Sequence, residues 1–383
     1  MKRKLLLMGS LSTVALLITM GGIWIVTLPS APARGNAPSI GKDEAEATIS
    51  ALKPPKRQRP VIAIVGANEG SETTDYLMPY GILKRADVAD VLALGMKPGP
   101  ISLYPALKIV PHTTVANFDA MHPEGADYVI VPAMRHDDDE AVLRWINEQA
   151  AKGAIIIGVC AGAKVLGNAG LLEGRRATTH WYYVKKLRKR HPTMHYVADR
   201  RLVVDRGVAT TTGITASIPM ALTLIEAIAG TAKARAVAND LGAAQWDARH
   251  YSNAFTLTRL FALSVLGNTL AFWNREQLGI PLTPGIDEVS LALVADAWSR
   301  TYRSRAVTFA STGGAQETRN GIRVLPDRIA KSWPAEDLIP AIDAQQPVGA
   351  LDQALQGISQ RYGTRTANFV AVQLEYHKQV EPE

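Results

Sequence analysis

The chain has 383 residues, of which 47% are hydrophobic and 20% charged, with a formal net charge of +7. That length allows two domains with buried cores. Its single cysteine excludes an intramolecular disulfide framework and a cysteine-rich zinc site.

The chain opens with a basic tail, residues 1–4, followed by residues 5–28, which carry no charge and are mostly apolar. A bilayer span needs about 20 apolar residues, whereas a signal peptide has an apolar core of about 7–15. A transmembrane signal anchor over 5–28 is therefore expected. Ala31-Pro-Ala33 keeps cleavage open as an alternative. The positive-inside rule then holds Lys2, Arg3 and Lys4 in the cytoplasm. For a bacterial chain this means a single-pass inner-membrane protein with a periplasmic body. Residues 29–60, rich in Pro, Ala, Lys and Arg, read as a linker with one short helix near 43–52.

Val61-Ile-Ala-Ile-Val65 has the composition of a buried strand. A helix is expected over Asp75–Arg85, then strands at Val88–Leu94, Leu107–Val110 and Val115–Asn117, and another at Asp127–Val131. Asp137, Asp138 and Asp139 precede a helix near Glu140–Lys152, and acidic residues there suit capping better than metal binding. Strands alternating with helices imply an α/β fold with a doubly wound parallel sheet. Sites in such sheets lie at the carboxyl ends of strands. The basic clusters Lys185–Arg190 and Arg200–Arg201 read as a solvated face, because no nucleic-acid-binding signature accompanies them.

The stretch Ala154-Ile-Ile-Ile-Gly-Val-Cys160-Ala-Gly162 passes from a β-branched run through small residues into an apolar-periodic helix. Strand, tight turn and helix are the parts of a nucleophile elbow. The unpaired N–H groups of a helix start favour a thiolate. An inert buried cysteine is the alternative from this stretch alone.

Gly158-Val-Cys160-Ala-Gly162, Ala177-Thr-Thr-His180 and Thr212-Gly213-Ile-Thr-Ala216 together resemble the DJ-1/PfpI family of the class I glutamine amidotransferase-like superfamily. Gly170–Trp181 looks most like the amidase-like sensor domain of AraC-type regulators. The resemblance covers roughly 61–241 and implies a flavodoxin-like fold. It makes Cys160 the elbow nucleophile or redox cysteine, His180 its neighbouring histidine and Asp75 the acid facing the sulfur. Ala161 N–H becomes an oxyanion donor, with Gly162, Ala133 and Met134 around the pocket. Relatives carry a Gly-Gly turn where this chain has Ala133-Met134, and Ala161 replaces the histidine of protease-like members. The resemblance also implies homo-oligomers. No metal or other cofactor is expected.

Beyond the predicted domain at 61–245, a helical connector is expected over 246–280, with Ala254–Trp273 as its apolar helix and a second membrane span as the alternative. Residues 281–383 echo the first domain as a truncated pseudo-repeat. Gly321-Ile-Arg-Val-Leu-Pro326 matches Ala106-Leu-Lys-Ile-Val-Pro111, but no elbow follows. Chance likeness of two α/β segments is the alternative. The functional expectation is a membrane-anchored protein with a reactive Cys160, acting on an amide or carbonyl or sensing oxidation. Two alternatives remain: an inactive module that binds a small molecule or protein, and a transcriptional regulator. The regulator lacks support, since no DNA-binding part follows.

Overall fold

The computed structural model describes residues 19–33, 35–243, 245–340, 342 and 346–376. In chain order, α1 (19–27) and α2 (Lys42–Ala51) precede β1 (Val61–Gly66). Then come β2 (Ser71–Glu72), α3 (Thr73–Ala86), β3 (Asp90–Gly95), β4 (Ile101–Tyr104), β5 (Lys108–Val110) and β6 (Thr113–Thr114). They lead to α4 (Val115–Met121), β7 (Tyr128–Val131), α5 (Glu140–Ala151), β8 (Ile155–Gly158) and α6 (Gly162–Asn168). After β9 (Arg176–Ala177), α7 (Val184–Arg190) and β10 (His195–Tyr196), the sheet resumes with β11 (Leu202–Asp205) and β12 (Val208–Thr211). Helices α8 (Ser217–Ala229), α9 (Thr231–Leu241) and α10 (Arg259–Leu270) follow.

Seven of these strands form one sheet in the order β11-β12-β8-β7-β1-β3-β6. Every pairing in it is parallel except the β11–β12 edge. Strands β1, β7 and β8 are buried throughout, which is why they read as continuous apolar runs rather than alternating ones. One face packs Phe118, Trp145 and Leu166 from α4, α5 and α6. The other packs Leu77, Leu83, Leu222 and Ile225 from α3 and α8. This is the expected α/β architecture with helices on both faces.

The remainder of the chain folds as β13 (Glu276–Pro281), α11 (Glu288–Ser299), β14 (Ser304–Ala310), β15 (Gln316–Glu317), β16 (Arg323–Leu325), β17 (Arg328–Ile329), α12 (Pro347–Tyr362) and α13 (Thr364–Gln373). Strands β13, β14 and β17 make a small parallel sheet. Strand β16 pairs antiparallel with β5, so one sheet, β15-β16-β5-β4-β2, spans both parts of the chain. A single buried cluster runs from Leu77 of α3 to Leu293 of α11.

Three expectations require correction. First, the single-pass inner-membrane placement is overturned, because no helix among the described residues is long and apolar enough to cross a membrane. The described part of the apolar stretch is α1, which ends before Pro29, a residue that disfavours helix in the position before it. Arg259 N–H donates to the Pro29 carbonyl at 2.8 Å and its guanidinium donates to the Val26 carbonyl at 2.7 Å. Residues 1–18, with the basic tail and the rest of the predicted anchor, lie outside the described residues. The alternative span at 254–273 holds only the 12-residue α10, started by the Thr258 hydroxyl capping Phe261 N–H.

Second, residues 29–60 are docked rather than free. Glu44 pairs with Arg200 at 2.6 Å, the Leu52 carbonyl accepts from Tyr128 Oη at 2.7 Å, and Arg57 Nη1 donates to buried Asp127 at 2.6 Å. Third, Val115–Asn117 is helical. Thr114 caps Asn117 N–H and starts α4, which overrides the local β propensity.

Candidate functional site

Strand β8 ends at Gly158, and the chain turns through Val159 and Cys160 into α6. Cys160 has φ of 54°, a left-handed conformation that is strained for a residue with a Cβ. Its N–H is held by Thr211 Oγ1 at 3.0 Å and its carbonyl by Thr179 Oγ1 at 3.0 Å. Those two threonines explain why Thr-rich turns follow the elbow in sequence: they pin the strained residue from both sides. A Cβ on Gly162 would collide with the Val131 carbonyl, so only glycine lets α6 begin this close to β7.

Asp75 is fully buried in the first turn of α3. Its Oδ2 accepts from Ala133 N–H at 3.0 Å, and its Oδ1 has no hydrogen-bond partner. Burial first, then the charge of Glu72, raises the Asp75 carboxyl well above its ordinary range; the Ala133 N–H works against this. Burial also pushes the Cys160 thiol well up, helped by the charges of Asp75, Glu72 and Glu375 and opposed by a hydrogen bond from Ala161 N–H. Both groups are therefore biased toward their protonated forms, and the charge of Asp75 bears on the thiol.

His180 lines the same cavity as Cys160, but its ring is committed elsewhere. Nδ1 accepts from Tyr182 N–H at 3.2 Å, which leaves the proton on Nε2, and Nε2 donates to the Gln373 carbonyl at 2.9 Å. Burial lowers its pKa. In this arrangement a proton from the thiol would reach the ring only after one of those bonds breaks. Ala133 borders the cavity, yet its N–H is taken by Asp75 and its carbonyl by Glu72 N–H at 2.8 Å. Met134 packs into the opposite core and does not line the cavity. Ala161 N–H, at the start of α6, remains a donor to the sulfur.

The cavity encloses about 630 Å³ and has two characters. Cys160, Glu72, His180 and Arg300 supply polar lining. Trp24 from α1, Phe261 and Val265 from α10 and Trp181 supply apolar lining, and Trp181 meets Phe261 edge to face. Residues from the second part of the chain line or adjoin the polar part. Arg300, after α11, donates to Glu72 at 2.7 Å and grips Asp296 through Nε at 2.8 and 2.9 Å. Burial pushes the Asp296 carboxyl up to about 7, against the pull of Arg300. Glu375, past α13, accepts from Trp181 N–H at 2.7 Å and Gly213 N–H at 2.8 Å.

Sequence reasoning missed Glu72, Arg300 and Glu375. Glu72 caps α3 through Asp75 N–H, but Glu is not a preferred cap residue, so the local sequence gives no strong signal for it. The other two join the site only through tertiary packing. Asp139 caps α5 through Ala141 and Val142 N–H, while Asp137 pairs with Lys164 and Arg190. Among the described residues no cluster of His, Cys, Asp and Glu could hold a metal ion.

Residues 61–227 match the model of the DJ-1/PfpI family. Isonitrile hydratase of Pseudomonas putida is 35% identical over 168 residues, covering 43% of this chain and 70% of that protein. The chain belongs to the DJ-1/PfpI family. The Parkinson disease protein 7 homolog of Danio rerio is 26% identical over 175 residues, covering 44% of this chain and 89% of that one. The HTH-type transcriptional regulator CdhR of Pseudomonas aeruginosa matches over 85 residues at 35% identity, covering 22% of this chain and 25% of the regulator. Among solved structures, Drosophila melanogaster DJ-1beta aligns with a TM-score of 0.44 at 22% identity, covering 49% of this chain and all of that one. The DJ-1/PfpI segment thus holds Cys160, Asp75 and His180, while Trp24, Phe261, Arg300 and Glu375 lie outside it.

Proposed function

We propose that the chain is a cysteine-dependent enzyme that hydrates or hydrolyses a small neutral electrophile, with Cys160 as nucleophile and Asp75 as proton carrier. The observation that carries this reading is Cys160 held at a φ of 54° on the elbow beside a buried carboxyl with one unpartnered oxygen. The strained turn aims a side chain at the cavity, and a protonated Asp75 offers the proton that an attacked substrate must gain. The sulfur forms a bond to the electrophilic carbon as the S–H bond breaks. Protonated Asp75 gives its proton to the substrate atom multiply bonded to that carbon and is reprotonated by the thiol proton, so S–H adds across the multiple bond without any oxidant; with an amide, the amine then leaves carrying a proton from Asp75. Water then displaces the sulfur and restores the thiol. Ala161 N–H lies where charge develops next to the sulfur. Family membership and the similarity to an isonitrile hydratase support a carbon electrophile of the isonitrile, aldehyde or amide type.

The test is turnover of one compound from each of these three classes, with intact-protein mass measured in a single turnover. Cys160→Ala should abolish the adduct, and Asp75→Asn should slow it about 100-fold or more, the usual worth of a positioned acid–base group. Equal turnover by Cys160→Ala would overturn the proposal.

One set of observations favours a second reading, a binding module without turnover. Both His180 nitrogens and the Ala133 N–H are already engaged, and the thiol is held in its protonated form. Tight ligand binding by both wild type and Cys160→Ala, with no adduct in either, would select it.

A further inference from the structure

Two ends of the α3–α11 contact mirror each other. Glu72 caps α3 through Asp75 N–H, and Asp287 caps α11 through Ser290 N–H. The same spacing separates Glu72 from Arg85 and Asp287 from Arg300. Arg300 then pairs with Glu72, and Arg85 pairs with Asp287. Between them the helices touch closely: a Cβ on Gly81 would lie 2.6 Å from Val289 Cγ2. The strand contact has the same form. Residues 106–111 and 321–326 are the matching sequences, and β5 pairs antiparallel with β16 about Ile109↔Val324, with Lys108↔Leu325 and Val110↔Arg323 on either side. A contact in which each element meets its own counterpart reciprocally is the signature of a two-fold interface.

We infer that residues 276–376 are a shortened second copy packed on the first across a pseudo-two-fold axis, and that Arg300 is its contribution to the cysteine site, a positioning residue for the Glu72 carboxylate. The two ends have diverged in chemistry. At one end Arg300 borders the cavity that contains Cys160. At the other, Arg85 shares Asp287 with Arg319 and also holds Asp240 at 3.0 Å, with no thiol present. Cys160 shares its cavity with Glu72, Tyr104, His180, Tyr183 and Arg300, and the charges of Asp75 and Glu375 bear on it. Burial lowers the His180 pKa, so Arg300 is the cation among these groups. It holds Glu72 in place and offsets a charge that would otherwise oppose thiolate formation. The role of Arg300 rests on the reading of Cys160 as a reactive thiol; the pseudo-symmetry does not.

The mirrored end supplies an internal control. Because the chain has one cysteine, thiolate absorbance at about 240 nm, taken as a difference from Cys160→Ser, reports this group alone across a pH titration. Arg300→Gln should move the midpoint up by about one pH unit or more, which is about a tenfold loss of thiolate below the midpoint. Arg300→Lys should recover most of that shift, and Glu72→Gln should move the midpoint down. Arg85→Gln removes the equivalent pair at the other end and should leave the midpoint in place. Equal shifts in Arg300→Gln and Arg85→Gln, or none in Arg300→Gln, would overturn the assignment. If Arg300→Gln does not fold, a wild-type midpoint in Glu72→Gln overturns it instead. A titrating thiol that never forms an adduct would defeat the enzymatic proposal and leave this comparison standing.

Discussion

Glu375 gives the sharpest single-atom prediction. Its side chain is 2% exposed, and its two carboxylate oxygens accept from different backbone donors, Trp181 N–H and Gly213 N–H. Its carbonyl also accepts from Thr215 Oγ1 at 2.9 Å. The side chain therefore ties the loop that carries His180 to the loop after β12. Glu375→Gln keeps the shape and replaces one acceptor with an NH₂ group. One hydrogen bond to a charged group is lost, worth about 1.5–3 kcal/mol, and one buried N–H is left facing another donor, costing about 1–3 kcal/mol. Relief from burying a charge offsets part of this, so a net loss of about 3 kcal/mol is expected. With a urea m-value of about 3 kcal/mol/M for a chain of this size, the unfolding midpoint should fall by about 1 M. Tryptophan fluorescence follows the transition, because Trp181 sits on the released loop. A change under about 0.5 kcal/mol would show that the two oxygens do not carry the tie.

Three further outcomes are expected. Gly162→Ala should destabilise by about 1–3 kcal/mol, the usual cost of overpacking, because the new methyl meets a backbone carbonyl that cannot rotate away; thermal unfolding measures it. Cys160→Gly should be more stable than Cys160→Ala by about 1 kcal/mol, since glycine relieves the left-handed strain that alanine keeps; equal urea midpoints would count against strain at the elbow. Asp296 has a folded-state pKa of about 7 against an ordinary carboxyl value of 3.8. Between those values the folded state binds more protons than the unfolded one, so this residue makes stability fall as pH rises from about 4 to 7. Asp296→Asn should flatten that slope, which is read from unfolding midpoints across the range.

The parts of this protein that were legible in sequence are those with local causes. The β-branched runs of β1, β7 and β8 announced buried parallel strands, and Asp139 announced the start of α5. Cys160 was findable because strand, small residues and helix follow one another directly. Val115–Asn117 misled because its β propensity was outweighed by one threonine cap. The docked course of residues 29–60 was not readable, since Arg57 and Glu44 find partners roughly seventy and more positions away. The commitment of His180 was hidden for the same reason: its Nε2 partner, the Gln373 carbonyl, is a backbone atom that no motif marks. The pairing of Arg85 with Asp287 and of Arg300 with Glu72 left a trace in equal spacings, but spacing alone does not say which acid each arginine meets.

The cavity walls come partly from inside and partly from outside the DJ-1/PfpI segment, and this has a consequence for how they can change. Cys160 sits in the DJ-1/PfpI segment, fixed by Thr179, Thr211 and the tight approach of Gly162. The apolar rim comes from Trp24, Phe261 and Val265, on helices that lie outside that segment and take no part in the elbow's hydrogen bonds. Replacing a rim side chain alters the shape of the cavity without disturbing the strained turn at Cys160. If the proposed chemistry holds, reaction and recognition can drift at separate rates, because different parts of the chain carry them.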